Sequence, residues 1–149
     1  VYFDQKSPLV LSRGTISPFN CQSTTFQKDV YVLMYLPVSI TPRASDIVRS
    51  LIAQPIMWRH GYSTGFTSPT VTQARNPHDY LKDFKDEILI YLHSEDILRV
   101  TENSLRDSAS MSENLQEAYQ ALIHEGLVPK EEMTTLEAWI RDIKRITKQ

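Results

Sequence analysis

Apolar positions near the beginning of the chain form continuous runs, whereas later ones recur with helical spacing. Residues 8–11 and 30–37 form two such runs. The second has no solvated face, which is typical of a central strand, so residues 30–36 are predicted to be a buried strand. Residues 13–24 between the runs contain glycine and proline and are predicted to be a loop. Residues 66–71 add a short extended edge, since Pro69 cannot donate to a central ladder.

A helix is predicted to follow the second run. Thr41 can cap it and Pro42 can be its first residue, because proline needs no hydrogen-bond acceptor there. The apolar positions are spaced to share one face: Ala44, Ile47, Val48, Leu51 and Ile52. Polar side chains occupy the opposite face, which is predicted to be exposed: Arg43, Asp46, Arg49 and Ser50. Pro55 is expected to end or kink this helix.

From residue 76 onward only helical spacing is found. A stripe is a set of apolar residues spaced to share one face of a helix. A first stripe and a weaker helix at 95–105 are followed by two strong stripes. The stripe residues are Leu81, Phe84, Ile88, Tyr91 and Leu92; Leu115, Ala118, Tyr119, Leu122 and Ile123; and Met133, Leu136, Ile140 and Ile143. Ser112 is predicted to be an N-cap and Gly126 a left-handed C-cap, and the last two helices are predicted to pair as an antiparallel hairpin. The fold class is therefore α+β, a short mixed sheet followed by a helical appendage.

The composition and the motifs that are absent argue against several classes of function. Sixteen basic residues nearly balance 18 acidic ones, which argues against binding to nucleic acid or to an anionic membrane. No run of about 18 apolar residues could span a bilayer. The single cysteine, Cys21, excludes a disulfide scaffold. The sequence has no phosphate-binding glycine loop, no His-Glu-x-x-His and no Asp-x-Asp, and its four histidines lack metal-ligand spacing.

One constellation has two interpretations. Asp46 lies three residues from both Arg43 and Arg49 on the first predicted helix. Such a group is usually an exposed ion-pair ladder that contributes little to stability. An ionised carboxylate in the first turns of a helix after a buried strand could also accept a proton from a hydroxyl group.

Seven strings, in this order, resemble one protein family. They are NCQST at 20–24, YLPV at 35–38, RASDIVRS at 43–50, AQ at 53–54, PTV at 69–71, RNPHDY at 75–80 and LEAWI at 136–140. The family is that of the STELLO proteins, which are Golgi-located and glycosyltransferase-like. Two departures concern Val48, where the family has an aromatic residue, and Thr72, where plant members have a histidine. His78 is then the remaining histidine candidate.

The resemblance implies the C-terminal portion of a glycosyltransferase-A-like domain. Residues 1–75 would be the C-terminal half of that domain, and 76–149 a helical appendage packed on it. Asp46 would be the catalytic base. The substrate-binding residues implied are Asn20, Gln22, Thr24, Arg43, Arg49 and Arg75. His78 would join a divalent metal, Mn or Mg, which is held mostly by residues outside this chain.

The partners implied are a nucleotide sugar and a glycan or protein acceptor in the Golgi lumen. Because the nucleotide-binding half is expected elsewhere, this chain alone is expected not to turn over nucleotide sugars. The alternative function is a non-catalytic scaffold or interaction module for Golgi membrane enzymes. A third possibility is a helical interaction module that binds no sugar.

Overall fold

A computed structural model describes residues 8–74 and 77–147. In chain order the elements are β1 (Leu9–Val10), a 3₁₀ helix (Lys28–Met34), α1 (Pro42–Arg59), β2 (Gly65–Phe66), α2 (Tyr80–Ser104), α3 (Met111–His124) and α4 (Glu132–Thr147). The two strands pair antiparallel, with Leu9 opposite Phe66 and Val10 opposite Gly65. The α+β class is therefore confirmed, although the sheet has only two short strands in the described residues.

The predicted central strand at residues 30–36 is wrong, because this segment forms the 3₁₀ helix. Val30 and Leu33 are 3% and 1% exposed, and a spacing of three residues brings both to the same side of a 3₁₀ helix. The indole nitrogen of Trp139 donates to the Val32 carbonyl at 2.8 Å. The run is thus buried, as predicted, but by helices: no strand pairs with it in the part of the chain that the structure describes.

Helix α1 begins at Pro42 as predicted, but its predicted side-chain cap is wrong. The Thr41 hydroxyl makes no capping bond and donates instead to the carbonyl of Asp86 on α2. The helix does not end at Pro55 but continues to Arg59, and the alternative, a kink at Pro55, stays a prediction. Proline inside a helix costs about 3 kcal/mol, but every residue from 51 to 58 is buried, so packing on all sides outweighs that cost.

Helix α2 joins the first stripe and the weaker helix at 95–105 into one element. The stripe faces outward, with Leu81 83%, Tyr91 64% and Leu92 65% exposed. Elsewhere on α2, Ile97 and Val100 are buried in the core, and Asp83 and Glu87 bind Arg43 of α1 at 3.2 and 2.8 Å. The apolar stripe is left uncovered within the described residues.

Helices α3 and α4 bury most of the two strong stripes, and they pack against each other. The buried members are Leu115, Ala118, Tyr119, Leu122, Leu136 and Ile140. The N-cap is Ser110, not Ser112: the Ser110 hydroxyl accepts from the Glu113 amide, and the Glu113 carboxylate accepts from the Ser110 amide. Gly126 has a φ of 71°, the left-handed conformation expected after a helix. The antiparallel hairpin stays a prediction.

Buried Glu132 connects the start of α4 to the segment after the 3₁₀ helix. Its carboxylate accepts from the Tyr35 hydroxyl and from the amides of Val38 and Ser39, at 2.9 and 2.8 Å for the amides. Burial alone raises the pKa of Glu132, but the bonds from Ser39 and Tyr35 outweigh it and leave the pKa below its usual value. Burial, and then Glu132, raise the pKa of Tyr35.

One hydrophobic core contains residues from both predicted domains, for example Val48 and Ile56 from α1 and Ile97 and Leu122 from α2 and α3. The division at residue 75 stays a prediction. None of the helices in residues 8–74 and 77–147 combines the length and the apolar character that crossing a bilayer requires.

Candidate functional site

The polar face of α1 is covered by the loop that precedes the 3₁₀ helix. At one end the Gln54 side chain donates to the Ser17 carbonyl at 3.0 Å and accepts from the Ser17 amide at 3.3 Å. At the other end the Asp46 carboxylate accepts from the Cys21 amide at 3.3 Å. The loop therefore runs along α1 in the opposite direction to the helix. The predicted exposure of Arg49 and Ser50 is wrong, since they are 2% and 0% exposed.

Asp46 lies beside a turn formed by three predicted sugar-binding residues. The Asn20 side-chain oxygen accepts from the Gln22 amide at 3.2 Å, and the Thr24 hydroxyl donates to the Asn20 carbonyl at 2.7 Å. Such local bonds stabilise turns that asparagine begins. Because Cys21 lies within this turn, its bond to Asp46 brings the carboxylate next to the three polar residues.

Arg43, Asp46 and Arg49 do not form the ladder that their spacing suggested. The Arg43 guanidinium donates through Nε and Nη2 to Glu87, at 3.0 and 2.8 Å. Within the described residues, no ion pair joins Asp46 to either arginine. Arg43 therefore holds α1 to α2, while Asp46 holds the loop.

Arg49 is enclosed by two aromatic rings. Its guanidinium carbon lies 5.1 Å from the ring centre of Phe19 and 5.2 Å from that of Phe26. The two rings meet edge to face with their centres 5.9 Å apart. None of the three guanidinium nitrogens has a hydrogen-bond partner among the described residues.

A cavity of about 490 Å³ adjoins this aromatic pair. The volume is within the range of roughly 300–1,000 Å³ that small-molecule sites occupy. Its wall includes aromatic rings and hydroxyl groups and has no charged side chain among the described residues, its members including Phe19, Thr24, Phe26, Tyr62, Thr64 and Thr70. The Asn20–Thr24 turn thus separates two features: the Asp46 carboxylate and this cavity.

His78 lies near the start of α2. Its Nδ1 is 2.8 Å from Oδ2 of Asp83, and the same oxygen lies 3.2 Å from the Arg43 guanidinium. A histidine oriented by a carboxylate through one nitrogen presents the other nitrogen to a ligand. No group of three or more possible metal ligands is found in the described part of the chain. Arg75 lies outside the described residues.

The residues that hold the loop on α1 were not predicted to do so from the sequence: they are Gln54, Cys21 through its amide, and the two phenylalanines. The available signal was Gln54 itself, a polar residue within the otherwise apolar run at 51–58. It is 0% exposed, and a buried polar side chain requires hydrogen-bond partners.

The sequence model of a family described as STELLO glycosyltransferases matches residues 43–149, which include α1 to α4. The chain belongs to this family. The match contains Arg43, Asp46, Arg49 and His78, and it begins after the Asn20–Thr24 turn.

Two relatives from Arabidopsis thaliana are similar over 144 residues, which is 96% of this chain. "Probable glycosyltransferase STELLO1" is 24% identical, and "Probable glycosyltransferase STELLO2" is 23% identical. The chain spans 18% and 19% of the lengths of these relatives. No solved structure matches it with significance.

Proposed function

We propose that this STELLO-family chain supplies the acceptor side of a glycosyltransferase site, with Asp46 as the catalytic base. The observation that carries the proposal is the hydrogen bond from the Cys21 amide to Oδ2 of Asp46 at 3.3 Å. This bond holds a half-buried carboxylate beside a polar turn, and Thr24 of the same turn lines a cavity of ligand size. A general base must be held within hydrogen-bond reach of the proton that it removes.

The proposed reaction uses the second oxygen of the same carboxylate. Oδ1 of Asp46 accepts the proton of an acceptor hydroxyl while that hydroxyl oxygen forms a bond to the anomeric carbon of the sugar. The bond from the anomeric carbon to the diphosphate breaks, and the diphosphate leaves with the electron pair. Asn20, Gln22 and Thr24 donate and accept hydrogen bonds around the sugar hydroxyls. The donor is a nucleotide sugar and the acceptor a glycan or protein, in the Golgi lumen.

Among the described residues, His78 is suited to be one ligand of a divalent metal. Asp83 orients His78 through Nδ1, so Nε2 is the nitrogen that could bind Mn or Mg, and Arg43 beside Asp83 opposes a cation on that carboxylate. When bound, such a metal supplies positive charge beside the leaving diphosphate. The remaining ligands would come from residues outside the described part of the chain.

A transfer assay on the full-length natural protein tests this function. Each of a panel of nucleotide sugars is supplied with Mn or Mg and with Golgi glycans, and mass spectrometry detects the extended acceptor. We expect one donor to be consumed with stoichiometric release of nucleoside diphosphate. Asp46→Asn should lower product formation by about 10²–10⁴-fold, whereas Asp142→Asn, an exposed change on α4, should leave it unchanged. Product formation at wild-type level by Asp46→Asn would contradict the proposal.

A second function, that of an interaction module, is favoured by the apolar side of α2. Its exposed residues are Tyr80, Leu81, Phe84, Ile88, Tyr91 and Leu92; we call them the α2 face. Given the exposed fraction of each residue, these side chains together expose roughly 700 Å² of mostly apolar surface to solvent. That area exceeds the largest patch of a typical monomer, about 300–600 Å², and approaches the roughly 800 Å² per partner of a standard interface. The occupant we propose is an apolar helix of a Golgi membrane enzyme.

Site-specific crosslinking tests this second function. A photoreactive amino acid replaces Leu81 in the full-length protein, and a matched variant carries it at exposed Glu137 on α4. We expect the label at position 81 to join a helix of another protein, with the label at 137 unreacted. Crosslinks from position 81 to a second copy of the protein, or to another segment of the same polypeptide, would contradict a partner-binding role.

A further inference from the structure

Arg49 carries a buried positive charge that the described residues do not neutralise. The residue is 2% exposed, and Nε, Nη1 and Nη2 have no acceptor. Arginine cannot lose its proton in a protein, so the charge remains. Other arginines of the chain differ: Arg59, on the same helix, is paired with Asp107.

The two aromatic rings around Arg49 compensate only part of this cost. Cation–π contact with Phe19 and Phe26 attracts the guanidinium electrostatically. The rings accept no conventional hydrogen bonds, although the guanidinium has five N–H donors in a planar fork. The Arg49 guanidinium therefore lacks a hydrogen-bond acceptor, and a group with several oxygens would supply one.

The cavity beside the rings has the properties of a site for that acceptor. Phe19 and Phe26 both form part of its wall, so the guanidinium lies next to the aromatic part of the lining. The Thr64 hydroxyl also belongs to the wall, is buried and has no partner among the described residues. The Thr64 hydroxyl thus adjoins this space directly, and the Arg49 guanidinium lies against two rings that line it. The lining includes no acidic side chain among the described residues.

We propose that this cavity binds a phosphate-bearing ligand and that Arg49 binds the phosphate once the Phe19 or Phe26 ring rotates aside. Phosphate matches the guanidinium fork with paired charge-assisted bonds, and the hydroxyl groups of the wall suit an attached sugar. The inference deepens the proposed function and rests on it for the identity of the ligand as a nucleotide sugar. It adds to the acceptor side a contact between this chain and a phosphate of the donor. Binding of the anion itself does not require Asp46.

Calorimetric titration of the chain with inorganic pyrophosphate tests the proposal. We expect Arg49→Met to weaken binding by about tenfold or more, the loss of a bidentate phosphate contact, and the control Arg59→Met to change it less than about twofold. Phe26→Ala should strengthen binding, since one ring no longer has to move. Arg49→Met should also raise the Tm without ligand by roughly 2 °C or more, because it removes an uncompensated buried charge.

Two outcomes would overturn the inference: no pyrophosphate binding by the wild type, or equal binding by Arg49→Met. A lower Tm for Arg49→Met without any effect on binding belongs to the second outcome, and it would show that the contacts with Phe19 and Phe26 are enough to stabilise the buried charge. If Arg49→Met does not fold, Arg49→Lys replaces it and should weaken binding about threefold, because lysine keeps the charge and loses the fork.

The Asp46→Asn variant separates this inference from the proposed function. Its pyrophosphate binding should equal that of the wild type. Arg49-dependent binding without any sugar transfer by the full-length protein would contradict only the proposed function. Asp46-dependent transfer without Arg49-dependent binding would contradict only the inference.

Discussion

The side chain of Gln54 exchanges two hydrogen bonds with the backbone of Ser17, at 3.0 and 3.3 Å. Gln54 lies two turns beyond Asp46 on α1, and Ser17 lies four residues before Cys21, so this pair sets the course of the loop toward the carboxylate. Because Gln54 is 0% exposed, water cannot replace its bonds to the loop.

Gln54→Leu should therefore destabilise the protein by about 1–3 kcal/mol, the cost of leaving partly buried backbone groups of Ser17 unpaired. Urea denaturation followed by circular dichroism measures the change, with exposed Gln120→Leu on α3 as the control. A free energy of unfolding within about 0.5 kcal/mol of the wild type would show that the loop does not depend on Gln54.

The free energy of unfolding should depend on pH in the acid range because of Glu132. Its pKa in the folded state lies below the usual value, so ionisation favours folding. This contribution is complete above the unfolded pKa of about 4.3 and is lost as the pH falls through the lower folded value. The wild type should thus lose stability as the pH falls below about 4.3.

Glu132→Gln cannot make that acid-dependent contribution. It should lower the stability at pH 7 by about 1–3 kcal/mol and flatten the dependence of Tm on pH in the acid range. Glu131→Gln, an exposed neighbour, should keep the wild-type profile. Parallel acid profiles for Glu132→Gln and the wild type would mean that other carboxyl groups cause the loss.

Two leucines test which predicted stripes form the core. Leu122 on α3 is 0% exposed and Leu92 on α2 is 65% exposed. Leu122→Ala should cost about 2–5 kcal/mol, and Leu92→Ala should stay within about 0.5 kcal/mol. Thermal melts of both variants decide this. Equal losses would indicate that the α2 face is covered in solution, and an unchanged midpoint for Leu122→Ala would contradict the packing of α3 on the core.

Local sequence signals predicted the positions of the helices better than they predicted which residues pack against each helix face. Pro42, Gly126 and the α3 and α4 stripes act within one or two turns, so their effects can be read from spacing. The side of α2 that faces the rest of the fold contacts residues distant in the chain, such as Arg43, which lies about 40 residues before Asp83 and Glu87. Helical periodicity identifies an apolar face but contains no information about the partner that fixes its direction.

The sequence predicted which residues would form the candidate site, namely Asp46 and the Asn20–Thr24 segment. It did not predict which side chains surround and contact them. Spacing on α1 suggested that Arg43 and Arg49 flank Asp46, whereas one arginine binds α2 and the other lies between aromatic rings. Periodicity treats a polar face as exposed, and a loop with no regular structure can cover that face. The roles of these residues in binding and catalysis stay predictions.

The central claim is that Asp46 removes the acceptor proton, and the kcat of Asp46→Asn in the full-length protein tests it most directly. Asparagine keeps the size and the bond to the Cys21 amide but cannot take up a proton. The account predicts a kcat lower by about 10²–10⁴-fold, the usual contribution of a general base, with the KM for the donor and the Tm unchanged. A kcat within about threefold of the wild type, in a variant with normal Tm and donor KM, would contradict it.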